Sequence, residues 1–152
     1  MKTKTLLFVL TLTLLSFAVY SQTQSGVQTS NFAQLMDLSV LPVTMPTLSA
    51  SPNDSIFIEV AFKVNNKAMV SKAVYLFGTD ADAGDILTTE VPFVKQGNAV
   101  YLQSTNSQKE VMGYNASVVI KLSKQQSSNF KYITVYVESP SGHISNKLYF
   151  EK

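Results

Sequence analysis

From residue 54 onward, apolar and polar positions alternate in short runs. In "DSIFIEVAFKV" (Asp54–Val64), Ile56, Ile58, Val60, Phe62 and Val64 share one parity, while Phe57, Glu59, Ala61 and Lys63 share the other. A period of two predicts a strand with one face buried. The same logic predicts strands over Lys72–Gly78, Ile86–Val94, Ala99–Ser104, Tyr114–Leu122, Phe130–Glu138 and Asn146–Glu151. In "YNASVVIKL", Ala116, Val118, Ile120 and Leu122 form the apolar row. In "FKYITVYVE", Ile133, Val135 and Val137 do so, with Tyr132, Thr134 and Tyr136 facing the other way.

Turn residues separate the runs: Asn65-Asn66, Gln96-Gly97-Asn98 and the Gly-Pro-Ser-rich "SPSGH". Pro92 removes a ladder donor, so the strand Ile86–Val94 is expected at a sheet edge. Leu35–Ala50 carries Pro42 and Pro46 and reads as an irregular edge strand or strand pair. No long 3.6-residue period follows the N-terminal segment. Seven or eight short strands with turns between them predict an all-β fold, a single antiparallel β-sandwich, with a small barrel as the alternative.

The N-terminus is patterned differently. Lys2 and Lys4 precede the apolar run Leu6–Val19, and Val19-Tyr20-Ser21 offers a cleavage site before Gln22. That is the layout of a secretory signal peptide over 1–21. The run is shorter than the ~20 residues a spanning helix needs, so cleavage is expected to leave no transmembrane anchor. The implied organisation is a signal peptide, a flexible polar segment over 22–35 without charge, and the sandwich over 36–152. The expected location is exported, whether periplasmic, cell-surface or extracellular.

Composition then removes whole classes of chemistry. Without Lys2 and Lys4, ten lysines face ten acids, and there is no arginine. Nucleic-acid binding depends on a cationic excess and on the bidentate arginine fork, so it is not expected. The absence of cysteine excludes disulfides, zinc-thiolate sites and a thiol nucleophile. Stability must come from packing, which a domain of this length can supply. No nucleophile elbow, phosphate-binding loop or zinc-protease motif occurs, and the chain is not expected to be an enzyme.

Some segments resemble fibronectin type III and related immunoglobulin-like modules, over about residues 54–152. "VAF" (Val60–Phe62) is similar to their second strand, with Phe62 where a core Trp is usual. "VYVESPSGHIS" (Val135–Ser145) is similar to their last hairpin. The resemblance implies an immunoglobulin-like sandwich that binds or spaces other molecules. Its departures are Lys131 at the family's inward tyrosine position and an extra segment at Ala99–Ser104.

Three features carry candidate chemistry. "GTDADAGD" (Gly78–Asp85) crowds three carboxylates, and Asp80, Asp82, Asp85 and Glu90 are the candidate metal ligands. With one residue deleted, the stretch resembles the calcium loop of EF-hands and dockerins, and Ca²⁺ favours such closely spaced oxygens. The other reading is a hairpin connection in which Gly78 and Gly84 adopt positive φ and the acids stay in water. No other cofactor is expected. Tyr132 and Tyr136 face away from the core, where they pair across strands or present a surface for protein or sugar. His143 sits at a loop tip, as a contact residue or as a base needing a nearby serine and acid. These residues imply a non-catalytic module meeting protein or glycan at the cell envelope. The alternative is a carbohydrate-binding module, with or without calcium.

Overall fold

The computed structural model describes residues 32–43, 55–105 and 107–152. The expected signal peptide, most of the polar segment after it, and Pro46 lie outside these residues. The described chain is nearly all-β, built as two antiparallel sheets. The strands are β1 (Leu35–Val43), β2 (Ser55–Val64), β3 (Lys72–Gly78), β4 (Leu87–Gln96), β5 (Ala99–Gln103), β6 (Gln108–Glu110), β7 (Asn115–Ser123), β8 (Tyr132–Glu138) and β9 (Leu148–Glu151). One sheet has the order β1-β2-β7, and the other β6-β5-β4-β3-β8-β9.

The alternation read from sequence is the alternation of burial. Ile58, Val60, Phe62 and Val64 of β2 point inward beside Ala116, Val118, Ile120 and Leu122 of β7. They meet Ala73, Tyr75 and Phe77 of β3 and Ile133, Val135 and Val137 of β8. Each large side chain so buried contributes about 1.5–3 kcal/mol, and with no cysteine in the chain this burial takes the place of crosslinks.

The core also takes in Phe32, Ala33 and Leu35, ahead of the expected domain start at 36. Asn66 Nδ2 donates to the Phe32 carbonyl, and Gln34 N donates to Asn65 Oδ1. The core thus extends into the stretch whose composition looked mobile, with Phe32 as a buried anchor.

Side chains complete the free edges of the smaller sheet. Asn146 Nδ2 donates to the Leu35 carbonyl while its Oδ1 accepts from Leu35 N, so one amide takes the place of a neighbouring strand. At the other edge Ser107 Oγ accepts from Val119 N, and Ser104 Oγ donates to its carbonyl. Unpaired strand edges invite association with other chains. These contacts satisfy a residue on each edge from within.

The structure departs from the sequence reading in several places. A ninth strand, β6, reads only "QKE" and has no apolar row to reveal it. The link from β7 to β8 contains a short helix α1 (Lys124–Asn129). Ser123 Oγ accepts from Gln126 N, and Gln126 Oε1 accepts from Ser123 N, the reciprocal cap of a Ser-x-x-Gln start. Strand β4 is not simply an edge. It pairs with β3 over Leu87–Pro92 and with β5 over Phe93–Gln96. Phe93 N donates to Ser71 O on the β3 side, so alternation aims position 92 the other way. The β4–β5 pairing stops at Phe93, so the donor that Pro92 lacks falls just past its end.

Candidate functional site

The outward parity of β8 places Tyr132, Thr134 and Tyr136 on the outer face of the six-stranded sheet. Across the ladders Tyr136 lies opposite Val74, Thr134 opposite Leu76 and Tyr149, and Tyr132 opposite Gly78 and Glu151. This face is not freely solvated. Thr134 is fully buried and Val74 nearly so, although neither points toward the core.

The acidic stretch joins β3 to the paired β4, so it is a hairpin connection. Its conformation differs from the expected one. Positive φ falls on Asp82 (66°) and Gly84 (61°), not on Gly78. Gly78 is required for a different reason. A Cβ there would stand 2.8 Å from the Asp80 carbonyl and from Asp85 Oδ1, and 2.9 Å from Gly84 N. The bare backbone lets the loop turn back on itself.

The carboxylates are engaged by the chain's own groups. Asp85 accepts from Thr79 N and from Thr79 Oγ1, each at 2.9 Å, which ties the loop shut and holds its carboxyl below the usual range. Asp82 N donates to Thr134 Oγ1 at 3.1 Å, pinning the loop tip onto the outer face and closing water off from Thr134. The Asp82 carboxylate takes Lys147 Nζ at 3.0 Å on one oxygen and Tyr149 OH at 3.2 Å on the other. Partial burial, then the nearby Asp82 charge, raises the Tyr149 hydroxyl above its ordinary pKa. Lys147 Nζ also stands 5.7 Å from the centre of the Tyr136 ring, within cation–π reach. Tyr132 OH donates to Glu151 at 3.1 Å, and that bond raises its pKa.

The structure therefore gathers Asp82, Tyr132 and Tyr136 onto one surface, together with Lys147, Tyr149 and Thr134. It does not gather the four candidate metal ligands. Asp85 faces Thr79, Asp82 faces Lys147 and Tyr149, and Glu90 sits farther along β4, where Lys72 Nζ meets it at 2.8 Å. No group of three His or acid side chains placed to hold a metal ion occurs among the described residues.

His143 lies at the opposite end of β8, seven residues long and so about 20 Å from the acidic loop. Its Nδ1 is 2.8 Å from Ser141 Oγ, and its backbone N donates to Ser139 Oγ at 3.0 Å. Ser139 Oγ and Ser141 Oγ are themselves 3.0 Å apart. The imidazole is exposed on a turn braced by serines rather than set in a cleft.

Lys147, Tyr149 and Thr134 escaped the sequence reading because their importance depends on register between strands. Parity alone placed Thr134 in water. No family model matches the chain, and no curated protein matches it. Among solved structures, the X-ray structure of Northeast Structural Genomics Consortium target SoR45 aligns with 80% of this chain and 88% of that one, at 12% identity and a TM-score of 0.35. A likeness at that level carries no argument about fold or activity.

Proposed function

We propose that the chain is an exported, non-catalytic immunoglobulin-like module that binds another protein through the outer tyrosine face of its larger sheet. The observation that carries this reading is the acidic loop folded over that face. It fixes Asp82, Lys147 and Tyr149 in one braced group, with Tyr136 beneath Lys147 and Tyr132 held alongside by Glu151. Tyrosines held in this way offer large contact area at little entropic cost on binding. Strand order supports the immunoglobulin-like part: β1-β2-β7 follows the A-B-E order of such modules, and β3-β8-β9 their C-F-G order, with β4 to β6 added beyond β3. The non-catalytic part draws on His143, which lies on an exposed turn with Ser141 at its Nδ1 and no acid bonded to its ring among the described residues.

Protein is favoured over sugar because sugar stacking needs an open ring face, and Lys147 stands over the Tyr136 ring. The test starts from Tyr132, which has only Gly78 opposite it on β3. With the immobilised protein as bait for envelope extracts, Tyr132→Ala and Tyr132→Arg are expected to lose a captured partner while melting close to wild type. Capture unchanged in both variants, or a collapse in stability, sinks the proposal. Retention on a glycan array, compared with and without EDTA, would favour the carbohydrate alternative instead.

A further inference from the structure

The second surface lies on the other side of the sandwich. On the outer face of the smaller sheet, Ser39, Ala61 and Ser117 fall in register across β1, β2 and β7. Short side chains in three adjacent strands leave a trough, and the open cleft over it has a volume of about 550 Å³. Two apolar side chains flank it: Leu41 from β1 and Met112 from the β6–β7 connection, 57% and 69% exposed. They rank among the most exposed large apolar residues of the described chain, and they line the same cleft. Exposed apolar side chains grouped around a concavity mark contact surfaces more often than scattered ones do.

The charge of the lining is one-sided. Asp37, Glu59 and Glu110 line the cleft against a single cation, Lys63. Lys63 pairs with Asp37 at 2.7 Å, and Lys109 reaches Glu59 from outside. The Lys109 bond, followed by one from Ser117, holds the Glu59 carboxyl below its ordinary pKa, so it stays charged at neutral pH. Glu110 is exposed, with no ion-pair partner among the described residues. The cleft thus offers apolar walls, a floor of small groups and an uncompensated carboxylate at its β6 rim.

From this complementarity we propose that the cleft docks a protein segment presenting an aliphatic side chain beside a lysine or arginine. The aliphatic group fills the trough between Leu41 and Met112, and the cation meets Glu110. Met112 suits such a role, because an unbranched thioether repacks readily around different aliphatic shapes. The surface is independent of the tyrosine face, which lies on the opposite sheet.

The test uses ¹⁵N-labelled protein purified after expression of the full-length chain, and two probe peptides, acetyl-Lys-Leu-Lys-Ile-Lys-amide and its counterpart with glutamate for lysine. The lysine peptide is expected to shift the amide resonances of Ser39, Ala61 and Ser117, to weaken as salt rises, and to bind about tenfold more tightly than the glutamate peptide. Glu110→Lys should weaken it several-fold. Ala61→Gln, which fills the trough from an outward position, should abolish it. Both variants should melt as the wild type does, since neither residue belongs to the core cluster. Equal binding of the two peptides overturns the charge argument. Shifts at Tyr132 and Tyr136 instead, or no shifts at all, overturn the site, leaving the proposal for the tyrosine face to its own test.

Discussion

Tyr75 offers the sharpest check on the packing argument. It sits mid-strand in β3, fully buried, with its ring 6.3 Å from that of Phe62. Its hydroxyl has no hydrogen-bond partner among the described residues. A buried polar group left unpaired costs about 1–3 kcal/mol, so Tyr75→Phe should remove a penalty rather than a bond. The vacated space is about the size of one oxygen, and the void takes back up to about 1 kcal/mol. The expected net effect is a gain of roughly 1–2 kcal/mol, seen as a melting midpoint several degrees higher for a domain of this size.

Alkaline pH gives a second reading of the same group. Burial pushes the Tyr75 hydroxyl far above its ordinary pKa near 10. Below pH ~10 the phenol is neutral whether the chain is folded or not, and its protonation does not affect stability. Above that, the unfolded chain releases the proton while the folded one keeps it. The unfolded state then binds fewer protons, and stability falls by about 1.4 kcal/mol per pH unit from this residue alone. Tyr132 and Tyr149, also raised, add to the decline in both proteins. Urea titrations of wild type and Tyr75→Phe between neutral pH and pH ~11 should therefore diverge, the variant losing less. A variant that is less stable at neutral pH would show that the hydroxyl is bonded in solution, as to a buried water. Parallel alkaline declines would show that Tyr75 is not the residue held neutral.

Two further outcomes test the acidic loop. Gly78→Ala places a methyl against the Asp80 carbonyl and Gly84 N, backbone atoms that move only with the whole loop. It should cost about 1–3 kcal/mol in a urea titration, and an unchanged midpoint would mean that the loop does not pack on the end of β3. Melting in millimolar Ca²⁺ and in EDTA should give the same midpoint, because Asp82 and Asp85 already hold partners of their own. A rise with calcium would show that the loop rearranges to gather its acids.

What the sequence made legible follows from what each element depends on. β2, β7 and β8 were readable because one face of each is core and its apolar row is buried, with only Val119 and Thr134 of the outward rows buried as well. β6 was not readable, since it is fixed by the residues that β5 offers across the ladder and not by its own three polar side chains. The helix α1 lies between these cases. Six residues cannot show a 3.6-residue period, yet Ser123 and Gln126 spelled out its cap. Its exit residue Phe130 packs edge-on to Phe77 at 5.4 Å.

The candidate site shows the same division more sharply. A run of closely spaced aspartates looks alike whether it will hold a metal or not, because the outcome is set by what approaches from elsewhere in the chain. Here Tyr149, 67 residues beyond Asp82, and Lys147 beside it are brought in by the pairing of β8 with β9. Thr134 then receives the Asp82 amide, and a polar outward side chain becomes fully buried. None of these contacts is local, so no spacing rule within Gly78–Asp85 could have separated the two readings. What the stretch does disclose by itself is Gly78, whose missing side chain makes the turn possible, and Asp85, whose carboxylate closes it on Thr79. The acidic loop thus organises the face it covers, and any partner of that face meets Asp82 already committed to Lys147 and Tyr149.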